Sequence, residues 1–143
     1  MLETRSNSQQ QNKILAIEDD PEVLALYKSY LQKRGYEVLS ATGAVEGMNL
    51  LSAHPDTRLI LLDLNLPDMT GIDILKQIKE NKYLKASPVV VLTTTDDSQE
   101  IKRCYELGCN VYITKPVNYE SFANAIRQLG LFFSVIQVPP AAT

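Results

Sequence analysis

From Lys13 onward, short apolar runs rich in β-branched residues alternate with longer stretches whose apolar positions recur at helical spacing. The strand-like runs are Ile14–Ile17, Tyr36–Ser40, Leu59–Leu62, Val89–Leu92 and Val111–Ile113. The third and fourth are continuously apolar, as strands covered on both faces should be, which places them in the middle of a sheet. The first helix has a start and a stop. Asp20 can cap the free amides, Pro21 suits the first helical position, and Gly35 suits a left-handed exit after Arg34. Leu24, Tyr27 and Leu31 give that helix an inward face.

Further helices are expected near Ala44–Ala53, Gly71–Asn81, Ser98–Leu107 and Tyr119–Phe133, the last with Asn118 as its cap and Phe122, Ile126, Leu129 and Phe133 on one stripe. Five βα units joined by right-handed crossovers imply an α/β fold, a doubly wound, five-stranded parallel sheet with five helices on two faces, for which the flavodoxin-like order 2-1-3-4-5 is the common solution. The expected organisation is a disordered tail over 1–12, one domain over 13–133 and a C-terminal extension over 134–143.

Composition narrows the partners. The 143 residues are 45% hydrophobic, enough for one core that hides roughly 68 to 70% of the unfolded surface. The formal charge of -3, with no basic run, argues against a nucleic-acid surface. The polar start MLETRSNSQQQN lacks a secretory apolar stretch, and no run approaches the ~20 apolar residues that span a bilayer, so a cytoplasmic, membrane-free protein is expected. Cys104, Cys109 and the single, distant His54 make no metal-ligand pattern and suit packing and surface roles.

Ligands of an open α/β sheet bind beyond the carboxyl ends of the strands. Here those ends are polar: Glu18, Asp19 and Asp20 after the first, Asp63 after the third, Thr93, Thr94 and Thr95 after the fourth, Thr114 and Lys115 after the fifth. If the first and third strands are neighbours, Glu18, Asp19 and Asp63 converge, and carboxylates in that number call for a cation such as Mg²⁺. Thr93 and Lys115 would supply donors opposite it, the arrangement that holds a phosphoryl group in transfer to a carboxylate, with Asp63 as nucleophile. Each piece has an alternative. Asp20 beside Pro21 suits a cap, an isolated Asp ending a strand suits a turn, threonines suit strands and a lysine before proline suits a solvated turn. What distinguishes the set is its gathering on one edge.

The stretches KILAIEDDP, LILLDLNLPDMTG, PVVVLTT and VYITKP resemble, in this order, the four signature segments of the response regulator receiver family across residues 13 to about 133. The resemblance implies that Asp63 is phosphorylated, that Glu18 and Asp19 bind Mg²⁺ with Asp63, directly or through water, and that the Asn65 carbonyl completes the metal site. It further implies that Lys115 contacts the phosphoryl group, that Thr93 is the moving hydroxyl and Tyr112 the aromatic that swings behind it, and that the Lys115–Pro116 bond is cis. The output face would be the fourth helix, fifth strand and fifth helix. Thr94 stands where the family usually has a smaller residue, Thr70 replaces a common acid before Gly71, and Asn65 and Thr95 occupy positions that tune phosphoryl lifetime.

The resemblance implies a sensor histidine kinase or phosphotransfer protein as donor and signalling by docking, with no turnover of external substrates. ILLDLNLP and the apolar run LGLFFSVIQVP are similar to the small regulators paired with cyanobacterial phytochromes. Val135, Ile136 and Val138 outlast the helical stripe and are candidates for a homodimer contact. Two alternatives remain: a receiver-like scaffold that is never phosphorylated, and, ranked lower, an aspartyl phosphatase, since Asp63-Leu64-Asn65 has the look of a DxD strand end.

Overall fold

The five apolar runs form five strands, each followed by a helix. In the computed structural model they are β1 (Lys13–Ile17), α1 (Pro21–Gln32), β2 (Glu37–Ala41), α2 (Ala44–Ala53), β3 (Leu59–Leu62), α3 (Gly71–Glu80), β4 (Val89–Thr93), α4 (Ser98–Leu107), β5 (Val111–Thr114) and α5 (Tyr119–Phe133). The structure describes residues 12–133 except 83, 95 and 116–118, with only the backbone for 119 and 129–133. The expected tail up to residue 11, the extension 134–143 with its candidate dimer contact, Thr95, the Lys115–Pro116 bond, the Asn118 cap and the Leu129 and Phe133 side chains lie outside the described residues.

The sheet is parallel throughout, in the order β2-β1-β3-β4-β5. Alternate residues feed two cores, because successive side chains of a strand point to opposite faces. Leu15, Ile17, Ile60, Leu62, Val89 and Val91 pack with α2, α3 and α4. Ile14, Ala16, Leu59, Leu61, Val90 and Leu92 pack with Leu24, Tyr27 and Leu31 of α1 and Phe122 and Ile126 of α5. Each fully buried leucine, isoleucine or valine contributes about 1.5–3 kcal/mol relative to an exposed one. Among the described residues, no helix is long and apolar enough to cross a membrane.

Several boundaries move by a residue or two, each for a local reason. α1 stops at Gln32 instead of Arg34, and a turn closes it: Gly35 donates to the Gln32 carbonyl at 3.0 Å and Tyr36 to that of Leu31 at 3.2 Å. Gly35 takes the positive φ of 90° there. α3 ends at Glu80, where Asn81 turns extended and its side chain accepts the Leu84 amide at 3.2 Å. β4 runs one residue further, so Thr93 belongs to the strand, paired with Thr114. Asn12, the last residue of the expected tail, has its carbonyl bonded to the Glu37 amide at 2.9 Å.

Candidate functional site

Register brings the acids together. β1 and β3 pair Ile17 with Leu62, so the next residues, Glu18 and Asp63, leave the sheet side by side. Their backbones stay in the ladder for one more step: Glu18 donates to the Ala41 carbonyl at 2.9 Å and Asp63 to that of Ile17 at 3.0 Å. One carboxylate oxygen from each of Glu18, Asp19 and Asp63 lies within 4.8 Å of the others. Glu18 and Asp63 are buried and Asp19 is exposed. This is a set of hard oxygen donors open to water on one side, and it could hold a metal ion. Asp20 stands apart from it and caps α1, accepting the Glu22 amide at 2.9 Å, while its own amide donates to Glu18 Oε2 at 3.2 Å.

Lys115, carried in by β5, is the counter-charge. Its backbone amide bonds the Thr93 carbonyl at 2.7 Å. Its ammonium donates to Glu18 Oε1 and lies 3.5 Å from Asp63 Oδ2. One ammonium cannot balance three carboxylates. Burial pushes the Glu18 carboxyl up to about 7, the Lys115 ammonium opposes that rise, and the neighbouring Asp63 adds to it. The phenol of Tyr27, buried below on α1 against Phe122, is also pushed above its ordinary range, first by burial and then by Glu18 and Asp63.

Thr93 is fully buried, and its hydroxyl accepts a hydrogen bond from Asn65 Nδ2 at 3.3 Å. The Asn65 backbone amide in turn donates to Asp63 Oδ1 at 3.1 Å. The loop after Asp63 thus holds both the carboxylate and the threonine. Tyr112 lies half-buried on the α4 side of the sheet, opposite Val91. Its outward backbone amide donates to the Tyr105 hydroxyl on α4 at 3.1 Å. Burial holds the Tyr112 phenol above its ordinary range.

Asp68, Thr70 and Gly71 close the LILLDLNLPDMTG stretch, and their roles emerge only from the structure. A Cβ on Gly71 would stand 2.5 Å from Leu64 Cα and 2.6 Å from the Asp63 carbonyl oxygen, so only glycine lets α3 start directly behind the acid. Thr70 caps that helix, accepting the Asp73 amide at 3.3 Å and donating to Asp73 Oδ2 at 2.9 Å. Asp68 reaches another helix altogether, bonding the Ala44 and Val45 amides of α2. His54 lies far from this edge, beside Lys13 at the opening end of β1. Cys104 and Cys109 are free and buried, and burial pushes their thiols up to about 12 and about 11.

Known proteins carry the same arrangement of elements. The family profile described as the response regulator receiver domain matches residues 14–127. A response regulator receiver domain from Rhodospirillum rubrum is 54% identical, with 92% of this chain and 99% of that chain covered and a TM-score of 0.83. The Mn²⁺-bound form of response regulator Rcp1 is 31% identical over 90% of this chain and 99% of that one, with a TM-score of 0.83. The phosphorylated cyanobacterial phytochrome response regulator RcpA is 32% identical over 90% and 98%, also at 0.83. The profile match runs from the first strand into the last helix and spans every charged and hydroxyl group gathered at the sheet edge, so this chain belongs to the response regulator receiver domain family of two-component signalling.

Proposed function

We propose that this receiver takes a phosphoryl group on Asp63 with Mg²⁺ beside it, and that the added charge is read out through α4, β5 and α5. One observation carries the reading: the carboxylates of Glu18, Asp19 and Asp63 share a pocket with a single ammonium, two of them buried. Such a set fits a small hard cation that keeps several waters, held by these three carboxylates and the Asn65 carbonyl. When bound, such an ion neutralises the acids and draws charge from the phosphoryl oxygens in the transition state. The Mn²⁺-bound form of Rcp1 supports a divalent ion, and phosphorylated RcpA supports the modification.

An Asp63 carboxylate oxygen attacks the phosphorus of a phosphohistidine. The O–P bond forms as the P–N bond breaks, and the leaving imidazole nitrogen keeps the electron pair and takes a proton from solvent. Once Glu18 is otherwise neutralised, Lys115, whose ammonium stands 3.5 Å from Asp63 Oδ2, can turn to the phosphoryl group on Asp63. The phosphoryl group adds about -1.5 to -2 charge. Thr93 Oγ1 then leaves Asn65 and donates to a phosphoryl oxygen. Tyr112 follows on the neighbouring strand, and α4 moves with it through the Tyr105 hydroxyl bond. The donor is a sensor histidine kinase or phosphotransfer protein. The likeness to the cyanobacterial phytochrome response regulator RcpA supports a phytochrome-type kinase. The chain turns over no external substrate.

Intact-mass measurement with a small phosphodonor and Mg²⁺ tests this. A single phosphate adduct is expected that disappears in Asp63→Asn and with chelator. An adduct indifferent to both would overturn the assignment of Asp63. No adduct, even with a cognate kinase, would mean a scaffold, and repeated release of phosphate from an external substrate would mean a phosphatase.

A further inference from the structure

The loop that carries Asp63 on its near end ties itself to a helix that precedes it in the chain. Asp68 Oδ1 accepts the Ala44 amide at 2.8 Å, and Oδ2 accepts the Val45 amide at 3.1 Å. α2 lacks a local cap, because its N-cap residue is Gly43 and no side chain there bonds the first-turn amides. The backbone at Gly43 is extended, with φ of -155°, which any residue adopts. What the glycine provides is room: a Cβ would stand 3.0–3.2 Å from the Asp68 carboxylate. A serine at this position could cap α2 from within the helix's own segment. Instead, the cap comes from the phosphoacceptor loop.

Bonds from a carboxylate to helix N-terminal amides are charge-assisted and favoured by the helix dipole. They hold the Asp68 carboxyl below its ordinary range, the Ala44 amide contributing most and the Val45 amide next. The two ends of the loop are fastened separately. Asn65 donates to Asp63 Oδ1, and Gly71 donates to the Leu64 carbonyl at 2.9 Å. Between these points, the Asp68 carboxylate anchors the loop to its neighbour. We infer that Asp68 is a positioning residue: by capping α2 it fixes the loop from Asn65 to Met69, and with it the Asn65 carbonyl at the cation pocket. The inference rests on the proposed function, in which that carbonyl is a ligand.

The test compares the wild-type chain with Asp68→Ala, Asp68→Asn and the double variant Asp68→Ala/Gly43→Ser. Three quantities are read: Mn²⁺ affinity by electron paramagnetic resonance of the free ion, amide hydrogen exchange over residues 64–70 without metal, and the thermal midpoint. Asp68→Ala is expected to weaken Mn²⁺ binding about 10-fold, as loss of a partner behind a metal ligand does. It should also speed exchange in the loop and lower the midpoint. Gly43→Ser, added to it, should restore the midpoint by recapping α2 while Mn²⁺ binding stays weak and exchange stays fast. Asp68→Asn keeps one acceptor oxygen and should fall between. Should Asp68→Ala not fold, Asp68→Asn and the double variant make the same comparison. Recovery of Mn²⁺ affinity together with the midpoint in the double variant would reduce Asp68 to a cap, and wild-type affinity in Asp68→Ala would also overturn the inference. A wild-type chain that binds Mn²⁺ yet takes no phosphate overturns the functional reading alone; one that binds no Mn²⁺ overturns both.

Discussion

β1 ends in charge clusters on both sides, and the two behave differently. At its opening end, Lys13 Nζ lies 3.1 Å from Asp56 Oδ2 and 3.2 Å from His54 Nδ1, with the lysine and aspartate side chains 18% and 31% exposed. At its closing end, Lys115 meets Glu18 and Asp63, whose side chains are only 2% and 7% exposed, and Asp19 stands beside them. The first cluster is one cation against one anion in contact with water. The second sets three anions against one cation, with the cation and two of the anions largely out of water. Coulomb attraction satisfies the first, while the second leaves a demand for positive charge that protons or a divalent ion must meet. A lysine among acids therefore makes a balanced bridge in one place and an unbalanced cluster in the other, and burial with charge imbalance makes the difference.

The largest effect expected from breaking this contrast comes from Lys115→Ala. Removing the ammonium leaves two buried carboxylates unpaired, which should cost about 3–5 kcal/mol of unfolding free energy at pH 8 without divalent ions. Mg²⁺ should restore part of it. Denaturant titration with and without Mg²⁺ reads both, and a loss below about 1 kcal/mol would mean that the closing end is as solvated as the opening one.

The pH dependence comes next. The folded-state Glu18 carboxyl is raised from 4.5 to about 7, so between these values the folded chain binds more protons than the unfolded one. Its contribution is fully present below about 4.5 and is lost as pH rises through about 7, a change on the order of 3 kcal/mol. Stability measured in chelator should fall over that window, and Mg²⁺ should flatten the slope, because the ion favours the ionised carboxyl. A flat profile in chelator would show that Glu18 is ionised throughout.

Gly71→Ala separates packing from charge at the same edge. The added methyl meets backbone atoms of Asp63 and Leu64, so about 1–3 kcal/mol should be lost without any change in charge, and Mg²⁺ should not recover it. The smallest effect belongs to the other end of β1. Lys13→Ala should change stability by no more than about 1 kcal/mol, independent of Mg²⁺, in the same titration.

Much of this architecture was legible along the chain. Short apolar runs and period-3.6 patterns locate strands and helices to within a residue or two, and α2, α4 and α5 have the bounds that periodicity predicts. Because strand ends of a parallel sheet share an edge, Glu18, Asp19, Asp63, Thr93 and Lys115 could be assigned to one pocket before any coordinate was known. The Asp20 cap was legible for a simpler reason, since capping acts within a few residues of sequence. Asp68 was not. Its partners lie 24 and 23 residues earlier, and nothing in a loop's composition says which helix it will cap. Gly71 shares that fate, because its requirement is an absence of space behind Asp63 rather than an unusual dihedral angle.

The sequence alone determined the layered α/β fold and the types of group at its carboxyl edge, because these follow from local periodicity and from the handedness of crossovers, while the expected strand order, the common one for such units, is settled by the pairing of the strands. Only the tertiary structure decided how those groups are paired. Lys115 is bonded to Glu18 as well as lying near Asp63, Thr93 is held by Asn65, and the loop is fastened to α2 through Asp68. These pairings depend on register between distant segments and on the desolvation that burial imposes, and neither quantity exists until the chain has closed on itself.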